Sequence, residues 1–152
     1  MNPEASAAFV EVPATPTLVE ITVYFTDTNR YAVGIPPFEV PVTRSVPEES
    51  ILPGALLEAF FDGPTEEEQS QGLESITSGF TGFREIKIQD QIAHVYLTGQ
   101  CKSMGTTYTV AQPLMRNLLQ LEEIHAVKIY DEMGLTEAPL GAGNSVPPCL
   151  EP

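Results

Sequence analysis

Three consecutive carboxylates, Glu66, Glu67 and Glu68, follow directly on Gly63-Pro64-Thr65. Such a run could hold a metal ion or do acid–base work. On a helix, however, successive side chains point about 100° apart, so neighbours do not converge on one ion as ligands must. Thr65-x-x-Glu68 has instead the spacing of a capping box. The threonine hydroxyl accepts the amide three residues on, and the glutamate reaches back to the threonine amide. Glu66 and Glu67 then lie in a first helical turn, where acids oppose the positive helix end. Thr65 and Glu68 are read as a structural helix cap, and no metal site is assigned.

The remaining reactive residue types are sparse. "DTNRYAVG" opens like a calcium loop with Asp27 and Asn29, but Tyr31 stands at the third ligand position. Ala32 replaces the required glycine and Phe38 the bidentate glutamate, so the EF-hand reading fails. His94 and His125 have no H-E-x-x-H spacing and read as surface histidines. Cys101 and Cys149 lack C-x-x-C spacing, which excludes a zinc ribbon or a thioredoxin-type site. They are either two unrelated free thiols or one disulfide. The disulfide is preferred, because an isolated pair suits an exported chain. A nucleophilic pair of Cys101 with a histidine would have to compete with that bond. The sequence has no G-x-S-x-G, no glycine-rich phosphate loop and no paired carboxylates in an apolar run. Catalytic, cofactor-binding and metal residues are therefore all assigned as none, no cofactor is expected, and the chain is expected not to be an enzyme.

Composition narrows the partners. The chain has 152 residues, 42% apolar, with 21 acids against 7 bases and a formal net charge of −14. This length suits one domain with a real core. Nucleic acid binding needs clustered Lys and Arg, and a field of this sign repels phosphate and anionic membrane surfaces. No apolar run reaches the roughly 18 residues of a membrane span. The first 16 residues lack the basic and apolar regions of a signal peptide and read as a flexible lead.

These residues need elements to position them. "LVEITVYFT" alternates Val19, Ile21, Val23 and Phe25 with polar partners and predicts a half-buried strand. "PFEVPVTR" repeats the pattern, with Pro41 placing that strand at a sheet edge. A helix follows, with Leu52, Leu56, Ala59 and Phe60 on one face, Pro53 in its first turn and Gly63-Pro64 at its end. The capped short helix ends at Gly72. "FREIKIQDQIAHVYLT" predicts a hairpin turning at Asp90-Gln91. A second helix begins near Thr109, where Gln112 offers another capping-box partner. Its inner face carries Ala111, Leu114, Leu118 and Leu121, with Arg116, Asn117 and Gln120 outside. "HAVKIYD" predicts the last strand. The order β-β-α-(short α)-β-β-α-β implies an α+β fold, two helices packed on one face of a mixed sheet.

In that order, "ITVYFTD", "PVTRSV", "ALLEAFFDGPTEEEQSQGLES", "IKIQDQIAHVYL" and "LMRNLLQLEEIHAVKIY" resemble the GerMN domain, the sporulation and germination module of bacterial envelope proteins. The most specific piece is the apolar helix ending in Gly63-Pro64-Thr65, with Glu66 to Glu68 and then Gly72-Leu73. The resemblance covers residues 17–131, after a lead of residues 1–16. Residues 132–152 look like the Gly/Pro-rich C-terminal extension of secreted or lipid-anchored members, with Cys149 tied back to the domain. It implies a relation to ring-building domains and a noncatalytic role in envelope assembly, with an unknown envelope protein or a second copy as partner. The implied location is extracellular or on the outer face of the cell membrane. The alternative is an extracellular small-ligand or glycan-binding domain using Tyr24, Tyr31, Tyr96, Tyr108 or Tyr130.

Overall fold

Two apolar helices and six strands share one core, and the strands divide between two sheets. The computed structural model describes residues 17–152. The lead of residues 1–16 lies outside the described residues. Alternation gives β1 (Leu18–Asp27), whose Ile21, Val23 and Phe25 face the core. A short helix α1 (Thr28–Val33) follows, then β2 (Glu39–Pro47), which pairs antiparallel with β1. Helix α2 (Leu52–Asp62) buries Leu56, Leu57 and Phe60, and stacks Phe60 against Phe25 at 6.1 Å. The five-residue α3 (Glu66–Ser70) leads into β3 (Leu73–Glu74), which pairs only with Thr26 and Asp27 of β1.

The second sheet is β4 (Phe80–Gln89), β5 (Ile92–Gly99) and β6 (Ala126–Tyr130), antiparallel between the first two and parallel between the last two. Helix α4 (Ala111–Leu119) joins them. Helix α2 packs on β1 and β4, and α4 packs on β1 and β6, so both helices bridge the sheets. The fold is α+β, with the expected elements in the expected order plus α1 and β3.

The sheet is not continuous, and Asn117 shows why. The sequence puts it on the outer face of α4, whereas it is fully buried. Its Oδ1 accepts the Tyr24 amide at 2.8 Å, and its Nδ2 donates to the Tyr24 carbonyl at 3.0 Å. Gln120 Nε2 donates to the Thr22 carbonyl at 2.8 Å. Side-chain amides of a helix thus occupy the edge of β1 where another strand would pair, satisfying backbone groups that would otherwise be buried unmade. Tyr24 therefore faces away from β2, and its partner Pro41 directs its nitrogen to the free edge, where the missing donor interrupts no ladder. Leu52, expected on the buried face of α2, is 38% exposed in its first turn.

The C-terminal segment docks more firmly than its composition suggests. Ile129 N–H donates to Ser145 O at 2.9 Å, Ser145 N–H to Val127 O at 3.1 Å, and Val127 N–H to Asn144 Oδ1 at 2.8 Å. The segment thereby covers the outer edge of β6. Alternation would leave Lys128 in solvent, but it is 1% exposed, its Nζ donating to the carbonyls of Ala138 at 2.7 Å and Gly143 at 2.8 Å. A buried ammonium is tolerable only with such partners. Leu150 inserts into the core, and Cys101 and Cys149 beside it are joined with Cα atoms 6.2 Å apart.

Candidate functional site

Residues 31–38, "YAVGIPPF", hold no charge in a chain of net charge −14, and they stand out at one end of β1 and β2. Tyr31 is 45% exposed, Val33 67% and Ile35 55%, with Pro36 and Pro37 also exposed. Apolar groups this concentrated on a charged surface are characteristic of a binding patch.

Local sequence builds the loop. Asp27 caps α1, its Oδ1 accepting the amides of Asn29 at 3.0 Å and Arg30 at 3.1 Å. Gly34 closes the helix with φ 71°, a conformation costly for residues with a Cβ, and Ile35 N–H then reaches Arg30 O at 3.0 Å. Asp27 N–H donates to Phe38 O at 2.7 Å and shuts the base of the loop.

A second clamp comes from the acidic stretch. The Thr28 amide and hydroxyl both donate to the Gly72 carbonyl, at 2.9 and 2.7 Å. Gly72 has φ 95°, and a Cβ there would lie 2.5 Å from Asn29 Nδ2. The end of the α3 segment therefore needs glycine to approach α1. The start of α3 is fixed by Thr65 and Glu68. The Glu68 amide donates to Thr65 Oγ1 at 3.2 Å and the Thr65 amide to Glu68 Oε1 at 3.0 Å. Arg44 adds two hydrogen bonds to the same carboxylate, at 2.6 and 2.9 Å, tying α3 to β2. The Arg44 bonds first, and then the Thr65 amide, hold the Glu68 carboxyl below its usual range against the opposing effect of burial. Glu68 is thus a joint between elements as well as a cap, and only the cap was readable from local spacing.

The aromatic residues supply rigidity. Tyr31 packs edge-on against Phe38 at 5.3 Å and tilted against Tyr108 at 5.0 Å. The Tyr108 hydroxyl donates to Glu39 Oε2 at 2.5 Å and lies 2.9 Å from Thr26 Oγ1. Burial, reinforced by the Glu39 hydrogen bond, pushes the Tyr108 phenol far above its usual range, so it stays a donor at neutral pH. Tyr108 is a pillar between β1, β2 and the loop. Eight uncharged residues ending in Pro-Pro-Phe were the sequence signal for this surface, and the pillar had none.

The other reactive groups are dispersed. His94 Nδ1 lies 2.8 Å from the Tyr130 hydroxyl on the outer face of β5 and β6. Burial, then the Lys128 and Lys87 charges, lowers its pKa. His125 is exposed between α4 and β6. Cys101, bonded to Cys149, presents no thiol. Among the described residues no group of three His, Cys, Asp or Glu is placed to hold a metal ion. No helix there is long and apolar enough to cross a membrane.

The rings of Tyr24, Tyr96 and Tyr130 each have a face covered. Arg116 lies 4.0 Å over Tyr24, Arg84 5.3 Å over Tyr96, and Tyr96 stacks on Tyr130 at 4.3 Å. The open groove of about 590 Å³ beside Pro64 and Leu73 has the Thr28 and Ser75 hydroxyls on its wall, both of them bonded internally. Thr28 donates to Gly72 O and Ser75 to Phe60 O. Two of the hydroxyls that line it are thus taken up by the fold itself.

Comparison with known proteins agrees with this architecture. The Germane family, described as sporulation and spore germination, matches residues 22–132. The tandem GerMN domains of the sporulation protein GerM from Bacillus subtilis share the fold, with a TM-score of 0.53 and 18% identity. That similarity covers 82% of this chain and 46% of GerM, so the chain spans about half of that structure. No curated protein matches the chain in sequence. With most of its length matched, from the middle of β1 to just past β6, the chain belongs to the Germane family of sporulation and spore germination domains.

Proposed function

We propose that this GerMN domain is a noncatalytic assembly module of the cell envelope, docking a partner protein through residues 31–38. The exposed set Tyr31, Val33 and Ile35 on a loop clamped at both ends carries the reading. A loop ordered beforehand loses little freedom on binding, so its apolar area contributes more fully to affinity. Aromatic anchors ringed by near-neutral contacts are also typical of interface hot spots. The disulfide suits an oxidising, extracytoplasmic setting, either outside the cell or on the outer membrane face. Residues 132–152 act in this reading as an extension locked to the domain. Glycan binding is disfavoured because Arg116, Arg84 and neighbouring rings already occupy faces of Tyr24, Tyr96 and Tyr130, which leaves Tyr31 without a second open ring to form a stacking platform.

A photo-crosslinking residue at Val33 tests the reading in envelopes of the source organism, with the same group at Glu58 as control. A discrete protein adduct at Val33 alone is expected, and Val33→Asp/Ile35→Asp should abolish its binding to the purified partner without lowering the melting temperature. Glycan binding or substrate turnover that survives this double substitution would overturn it.

A further inference from the structure

We propose that a second copy of this chain pairs with β4 about a two-fold axis at Ile86, extending β4-β5-β6 into a six-stranded sheet. This contact is separate from the loop of residues 31–38 and stands or falls independently of it.

Two other sheet edges are closed. On β2, Pro41 and Pro47 stand at the two ends of the outward-facing positions 41, 43, 45 and 47 and supply no donors there. On β6, the Ser145 segment fills the edge. Strand β4 is different. Asp90 and Gln91, with φ 52° and 65°, form a two-residue turn that makes Gln89–Ile92 the first hydrogen-bonded pair. Counting back along the ladder, Ile86 and Ile88 point their N–H and C=O groups away from β5. Among the described residues nothing hydrogen-bonds to them. Residues 83–89 contain neither Pro nor Gly, and from 84 to 89 only Ile86 is not exposed. Strand addition needs such an open edge.

The charges choose the occupant and the register. Glu85 and Lys87 flank Ile86 on one face, 3.6 Å apart and about half exposed. With the two-fold at Ile86, the two Ile86 residues form a hydrogen-bonded pair. Glu85 then lies opposite Lys87 of the second copy, and Lys87 opposite its Glu85. A register centred on Ile88 would set Lys87 against Gln89 and lose both complementary pairs. A lysine on an edge ordinarily discourages pairing. Here a glutamate two residues away makes the edge complementary to itself, as a two-fold interface requires. On the inner face, Ile88, 40% exposed, gains cover. The net charge of −14 on each copy opposes association, so it should be weak and strengthened by moderate salt.

Sedimentation equilibrium of the intact, oxidised chain up to about 1 mM tests this. Wild type should show a reversible monomer–dimer equilibrium. Glu85→Lys and Lys87→Glu should each weaken it roughly tenfold, because both cross-strand pairs become like-charged. Mixed together, the two variants should form a 1:1 heterodimer, since every pair is again complementary. Ile88→Pro, which removes an outward donor, should also reduce dimerisation while leaving the melting temperature within a few degrees. A monomeric wild type, variants that dimerise like wild type, or a mixture that fails to recover association would each overturn the proposal.

Discussion

Replacing Asn117 by alanine should be among the costliest single changes in this domain, although sequence pattern places the residue on the surface. The side chain is fully buried and satisfies both backbone groups of Tyr24, with a further bond to Pro113 O at 2.9 Å. Truncation strands the Tyr24 amide and carbonyl, and a buried unpaired polar group costs about 1–3 kcal/mol. Tyr24 is only half-buried, so water recovers part of this and the lower half of that range applies. With a small contribution from the vacated volume, the expected loss is about 2–4 kcal/mol. That corresponds to a fall in melting temperature of roughly 5–12 °C for a chain of this length. Urea unfolding followed by far-UV circular dichroism measures it, since the chain has no tryptophan. The midpoint should fall with the slope unchanged. Gln120→Ala removes a single bond, to the Thr22 carbonyl, from a half-buried residue and should cost only about 0.5–1 kcal/mol. A loss below about 1 kcal/mol for Asn117→Ala, or equal losses for the two variants, would refute the claim that Asn117 substitutes for a missing strand.

Other expectations follow from the same contacts. Thiol titration of the unfolded, unreduced chain should find no free sulfhydryl. Reducing the Cys101–Cys149 bond, which spans 48 residues, should lower stability by up to about 4 kcal/mol in the chain-entropy model. Thr65→Ala should cost about 0.5–2 kcal/mol through the cap, and Glu68→Ala about 1–3 kcal/mol because the Arg44 bonds go as well. Burial and two lysines depress the His94 pKa, so the unfolded chain binds the extra proton first. The His94 contribution should therefore be complete above pH ~6.5 and decline as pH falls, levelling once folded His94 also protonates. His94→Gln should flatten that part of a stability–pH curve measured beside wild type.

Whatever is set by neighbours in the chain was readable in advance. Alternation in "LVEITVYFT" and "AHVYL" reports a face that must be buried, and the Asp90-Gln91 turn and the Thr65-x-x-Glu68 cap each need only a few residues. Pro41 announced an edge because a missing amide is a local property of the residue. Tertiary structure alone decided what depends on partners far along the chain. Asn117 is buried because Tyr24, 93 residues away, offers unpaired backbone groups, and those groups divide the strands into two sheets. Lys128 is buried because carbonyls of a Gly/Pro-rich segment close around its ammonium, a segment whose composition shows no periodicity at all. The exposed loop became a candidate surface only when Tyr108 and Gly72 were seen to fix it from either side. Hydrophobic periodicity records the side on which a residue is most often buried, whereas a polar side chain is buried only where the fold supplies its hydrogen-bond partners.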